Sequence, residues 1–187
     1  MMKTQVEIQN IQDPDGIRRS RFAIAFQDAI KNESLNKQLL YFQEKYLEVI
    51  LECKNILNRI KESKKNAGDS ILKWQLADIF VTFLNEVESN EIIIIKYSNS
   101  LSRDLDLSKR LVESMIKFRQ TYPTLDMINR NINWDRYREL LDIHDLKIRH
   151  LLTEKILDES VKSREEIKQF KKLYLKSFRT RRSRPKK

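Results

Sequence analysis

Glycine and proline are scarce in this chain, with two and three respectively in 187 residues. Hairpins draw on Asn-Gly and Pro-Gly turns, and phosphate-cradling loops need clustered glycines, so the scarcity argues against a sheet-rich fold and a glycine-rich nucleotide loop alike. The single cysteine, Cys53, excludes an intramolecular disulfide. With no basic start and apolar stretch at the amino terminus, this fits a reducing cytoplasm and a cytoplasmic location. The longest obvious apolar run, Ile92 to Ile95, is ended by Lys96. It falls far short of the roughly 20 residues that span a bilayer, so no transmembrane segment is expected. The only histidines, His144 and His150, have no cysteine partner and match no zinc spacing, so neither metal nor cofactor is expected.

What the chain does have is helical periodicity. The expected fold is all-α: a helical bundle with a long N-terminal helix, a helix-turn-helix-like pair and a basic, disordered C-terminal arm. Residues 1 to 16, with Asp13, Pro14, Asp15 and Gly16, read as a flexible leader ending in a turn. A helical domain over 17–175 follows, in which Phe22, Ile24, Ala25, Phe26, Ala29 and Ile30 line a short helix. Leu39, Phe42, Tyr46, Val49, Cys53, Ile56 and Ile60 step by alternating threes and fours, which predicts a long helix over about 34–65. Such a seam packs within a bundle or zips two chains into a homodimer, and Leu39, Phe42, Tyr46, Val49, Ile56 and Ile60 are the candidate oligomerisation residues.

Asp69 or Ser70 caps a second, largely apolar helix containing Trp74. Glu91 to Leu105 reads as a third, and Asp106 or Ser108 caps a fourth that Tyr122 and Pro123 close. Further helices start at Asn133, at Asp145 and at about Ser163.

Charge is the other signal. Formal net charge is +10, and the last twenty residues hold ten Lys or Arg and no acid, so positions 1 to 167 are balanced. Within the 176–187 tail, Lys176, Arg179, Arg181, Arg182 and Arg184 stand close enough to repel one another and are suited to releasing counterions from a phosphate backbone. Nucleic acid is the favoured partner. An anionic membrane surface, an acidic protein, a localisation signal and a solubilising charge run are the alternatives.

The pair over 91–121 is the second candidate. In a helix-turn-helix the second helix offers its first turns to the major groove, and here those turns carry Ser108, Lys109, Arg110, Ser114 and Lys117, with Leu111, Val112, Met115 and Phe118 on the other side. An ordinary helical hairpin with a solvated face gives the same pattern.

From about Gln43 to Phe170 the chain resembles the N-terminal domain of the YhcG-type nucleases. One block runs Leu101 Ser102 Arg103 Asp104 Leu105, then Leu107 Ser108 Lys109 Arg110 Leu111 with Met115, Phe118, Tyr122 and Pro123. A second is Trp134, Tyr137, Leu140 and Leu141 followed by Asp145 and Arg149. The resemblance implies a helical module that binds DNA. Full-length members continue into a nuclease domain of the PD-(D/E)xK type, so a chain ending at Lys187 implies the binding half without the nuclease, in a mobile-element or defence setting.

No catalytic activity is expected. Glu52-Cys53-Lys54 and Glu62-Ser63-Lys64 have the acid-x-lysine form, but both fall in the long helix, whereas metal-assisted hydrolysis needs converging carboxylates. The function expected is therefore non-catalytic binding, most directly to duplex DNA. The alternative is a helical scaffold that dimerises or binds a protein partner such as a separate nuclease subunit, with the tail on RNA or another acidic surface.

Overall fold

The computed structural model describes residues 3–12, 18–24, 33–62 and 69–182, with the backbone alone described over 10–12, 18–24 and 175–182. The fold is a helical bundle. The described residues form seven α-helices and a three-stranded sheet packed against the first three of them.

The long helix α1 (Glu33–Glu62) buries Leu39, Phe42, Tyr46, Val49, Cys53 and Ile56, the expected seam, and half-buries Ile60 at its end. Helix α2 (Asp69–Ser89) lies antiparallel to it. Gln38 near the start of α1 donates to Asn90 just past the end of α2 at 3.1 Å, and Lys45 pairs with Glu86. Phe42 packs edge-on and Tyr46 tilted against Phe83 of α2, at 6.5 and 5.7 Å between ring centroids. The seam is therefore occupied inside the chain. As oligomerisation residues, Leu39, Phe42, Tyr46, Val49, Ile56 and Ile60 are corrected: the first five are buried in the core of the chain itself and Ile60 is half-buried against it, so this face is not presented to a second copy.

The amino-terminal expectations need correction too. Part of the expected leader is strand β1 (Thr4–Gln12), and part of the expected short helix is strand β2 (Arg18–Ile24). They pair antiparallel, from Val6 opposite Ile24 to Gln12 opposite Arg18. Val6 and Ile8 are buried while Gln5 and Gln9 are exposed, the period-two alternation of a half-buried strand. The start of the expected helix over Glu91–Leu105 is strand β3 (Ile92–Ile95), which runs parallel to β1 from Thr4 opposite Ile92 to Glu7 opposite Ile95. Four consecutive β-branched residues favour an extended backbone, and left-handed residues at both ends, Glu91 (φ 61°) and Lys96 (φ 55°), bracket the strand. The order β2-β1-β3 places β1 in the middle.

After β3 come α3 (Tyr97–Asp104) and α4 (Lys109–Thr121). A 3₁₀ turn at Leu125–Met127 then leads to α5 (Trp134–Leu140), α6 (Leu146–Leu157) and α7 (Arg164–Arg182). The expected caps act locally. Asn133 accepts from the Arg136 amide at 3.0 Å, and Asp145 from the Lys147 and Ile148 amides at 2.9 and 3.2 Å. Trp74 is core: its indole donates to the Tyr122 carbonyl at 2.7 Å under the Arg119 guanidinium. Trp134 is core as well, edge-on to Phe118 at 5.2 Å, and Phe118, Tyr122 and Tyr137 complete an aromatic cluster that locks α4 to α5.

Candidate nucleic-acid interface

The turn between α3 and α4 is tightly made. Leu107 donates its amide to the Ser102 carbonyl at 2.9 Å, and the Ser102 hydroxyl donates back to the Leu107 carbonyl at 2.5 Å. Asp106 takes the left-handed backbone (φ 53°) that a glycine more often supplies in such turns. The start of the pair is held from behind: the Tyr46 hydroxyl donates to Asp104 at 2.8 Å, while Arg103 reaches the Ile8 carbonyl of β1 at 3.3 Å. Arg103 and Asp104 thus anchor the turn to α1 and the sheet.

Helix α4 separates its faces as expected. Val112, Met115 and Phe118 are buried, whereas Ser108, Lys109, Arg110 and Glu113 are exposed. The five expected groove residues differ in how free they are. Ser108 is the N-cap, accepting from the Leu111 amide at 3.3 Å, and the Ser114 hydroxyl is turned back to the Arg110 carbonyl at 2.7 Å. Lys109 lies 3.7 Å from Glu113, and Lys117 donates to Asp142 at 3.3 Å. The Arg110 guanidinium has no partner among the described residues, which makes it the most available donor on this face.

A second group of residues, from α5 and α7, completes the surface. A cleft is lined by Arg110, Ser114 and Lys117 of α4, Arg138 and Glu139 of α5, and Arg164 of α7. Glu139 is buried and accepts from Arg164 at 2.7 Å and from Lys171 at 3.2 Å. Lys171 also reaches Asp142 at 3.3 Å, so Asp142 is shared between α4 and α7. Burial pushes the Glu139 carboxyl up, but the hydrogen bonds and charges of Arg164 and Lys171 more than reverse this and hold its pKa below the ordinary glutamate value. Asp142 behaves alike: partial burial raises it, and Lys171 with Lys117 outweighs the burial, leaving the pKa low. Arg110, Lys117, Arg138, Arg164 and Lys171 are gathered here with Glu113, Glu139 and Asp142, and with Asp135, the partner of Arg138, counted as well, the cations still outnumber the carboxylates.

Helix α7 begins in a capping box. The Ser163 hydroxyl accepts from the Glu166 amide at 3.1 Å, and Glu166 accepts from the Ser163 and Lys162 amides at 3.2 and 2.6 Å. Those backbone bonds hold the Glu166 carboxyl below its ordinary pKa. Ile167 is buried, and Phe170 stacks on Tyr174 at 4.5 Å. The helix then continues through Lys176, Arg179, Arg181 and Arg182, which corrects the expectation of a disordered arm over 176–182. The physical reason is the absence of a breaker before Pro185, together with the favourable placement of cations near a helix C-terminus. Arg184 and the rest of 183–187 lie outside the described residues.

Glu139, Asp142 and Arg164 were not legible as site residues, because their meeting is tertiary. The seven-residue spacing of Arg164 and Lys171 was the available hint, since it puts both near one face of α7.

The remaining chemical candidates lie elsewhere. His144 is exposed, and His150 sits 3.3 Å from Glu154. Among the described residues no group of three or more His, Cys, Asp or Glu is placed to hold a metal ion. Burial pushes the Cys53 thiol up to about 12, while its neighbours Glu52 and Lys54 point to solvent. The triplet at 62–64 has only Glu62 within the described residues. No described helix is long and apolar enough to cross a membrane. Comparison with protein-family models, with curated proteins and with solved structures finds no match.

Proposed function

We propose that this chain is a non-catalytic DNA-binding protein that presents α4 and α7 together to a duplex. The observation carrying the proposal is the bridge through Asp142: Lys117 and Lys171 share this carboxylate, so the basic helix is rooted beside the polar face of α4. Arg110 and Lys109 then contact base edges or phosphates from the first turn of α4. Lys176, Arg179, Arg181 and Arg182 extend the cationic surface along a helix about 28 Å long, at roughly 1.5 Å per residue. Binding of this kind has modest sequence preference on a strong electrostatic base. The resemblance to the DNA-binding module of the YhcG-type nucleases supports the same reading.

Fluorescence anisotropy with duplex DNA, single-stranded DNA and RNA over a salt series tests it. Replacing Lys176, Arg179, Arg181 and Arg182 together by Gln weakens binding to every duplex and flattens the slope of log K against log salt by about 3 to 4, at roughly 0.9 per phosphate contact. Arg110→Ala lowers discrimination between duplex sequences with a smaller change in slope. Unchanged binding in both variants overturns the proposal, and a consistent preference for RNA redirects it to ribonucleoprotein.

A second reading, a helical subunit that docks a protein partner, draws on a different groove. Met127, Leu146 and Leu157 are exposed along the cleft between the 3₁₀ turn and α6, and the buried Tyr122 hydroxyl at its wall has no hydrogen-bond partner among the described residues. Loss of all DNA binding with the basic helix, while the body is intact, favours this reading.

A further inference from the structure

The inner face of α1 is buried, but the same helix carries a second periodic face. Glu33, Lys37, Leu40, Glu44, Leu47, Leu51, Lys54, Asn58 and Lys61 step by alternating fours and threes, and all nine are exposed. The middle of that row is apolar: Leu40, Leu47 and Leu51 are 58%, 43% and 64% exposed. Three leucines at heptad positions on the solvent side of a 30-residue helix are what a helix-to-helix seam requires.

Charge selects the occupant. Glu44 stands just before the central pair of leucines and Lys54 just after it, and neither has a partner among the described residues. A second copy laid parallel in register would set Glu44 against Glu44 and Lys54 against Lys54. Laid antiparallel with Leu47 facing Leu51, it sets Glu44 against Lys54, and the two-fold axis produces that pair twice. In this register Leu40 lies over Asn58. Lys37 approaches Lys61, and its charge is offset by Glu33 at 2.8 Å within the same helix.

We propose that two copies of this chain associate through the outer face of α1 as an antiparallel, two-fold pair, with Leu47 on Leu51 at the centre and Glu44 to Lys54 at both flanks. This does not depend on the DNA-binding proposal. The interface is a surface separate from the α4–α7 cleft, and its test uses no nucleic acid.

Sedimentation equilibrium of the full chain over about 1 to 200 μM reads the association directly. The wild type forms a concentration-dependent dimer. Leu47→Glu abolishes it while the circular-dichroism melt is unchanged, as befits an exposed position. Glu44→Lys and Lys54→Glu each weaken association by about tenfold, since each turns two attractive pairs into two repulsive ones. The double variant E44K/K54E returns to within about threefold of wild type because the pairs are restored with signs exchanged. A wild type that stays monomeric throughout, or a double variant as weak as the singles, overturns the proposal. Orientation is read independently from an equimolar mixture of E44C and K54C: antiparallel pairing gives the mixed disulfide, and parallel pairing gives the two homodimers.

Discussion

Helices α1 and α7 are both long and amphipathic, yet they are held in different ways. Seven buried side chains, spaced from Leu39 to Ile56, bind α1 to the core along most of its length. Helix α7 is held near its start, by buried Ile167, by Phe170 and Tyr174 packed against the core, and by the ion pairs of Arg164 and Lys171 with Glu139 and Asp142. The first attachment is mainly apolar, with Lys45–Glu86 and Tyr46–Asp104 at its margins, whereas the second depends on buried and shared carboxylates as well as apolar contacts. Two amphipathic helices can thus share a sequence pattern and differ in how readily conditions release them.

The contrast can be broken first at its apolar end. Phe42→Ala removes a fully buried ring packed on Phe83, and a loss of about 3 to 5 kcal/mol in global stability is expected from urea denaturation. Such a loss is a large part of what holds a domain folded, so the whole transition moves.

Acid sharpens the contrast. Glu139 and Asp142 have pKa values lower in the folded chain than in the unfolded one. Their contribution is therefore complete above the unfolded carboxylate values of about 4 and is lost as pH falls through the lowered folded values. Amide hydrogen exchange across that range should show α7 losing protection relative to α1. Equal loss in both helices would mean that the carboxylates do not anchor α7.

The smallest expected effect comes from Glu139→Gln at neutral pH. It leaves Lys171 its bond to Asp142 but deprives Arg164 of a charged acceptor, at a cost of about 1 to 2 kcal/mol in the docking of α7. Exchange within α7 should accelerate, with the α1 amides unchanged.

Much of the helical layout was legible because its signals are local. The α1 seam repeats every three or four residues, and Ser108, Asn133, Asp145 and Ser163 cap amides no more than three residues away. The strands were not legible for the opposite reason. Val6 pairs with Ile24 and with the distant Ile94, Ile8 with Phe22, and the scarcity of glycine argues against a sheet-rich fold. The run Asp13-Pro14-Asp15-Gly16 was a turn signal, but without visible strands on both flanks it read as the end of a leader. Half of the candidate interface, the first turn of α4, followed from its cap and polar spacing. The other half depends on α5 and α7 meeting at Glu139 and Asp142, and local periodicity says nothing about that meeting.

The central position of β1 also constrains how the polypeptide matures on the ribosome. Its pairing with β2 needs a partner at most 18 residues downstream, whereas its other edge waits for Ile92, 88 residues after Thr4. At roughly 5 to 20 residues per second, the interval from Ile24, which completes the hairpin, to Ile92, 68 residues further on, lasts about 3 to 14 s. Throughout it the nascent hairpin presents a row of unpaired backbone donors and acceptors, the kind of edge that recruits stray strands. Translation up to Ile95 therefore closes the period in which this chain is most exposed to mispairing with its neighbours on a polysome.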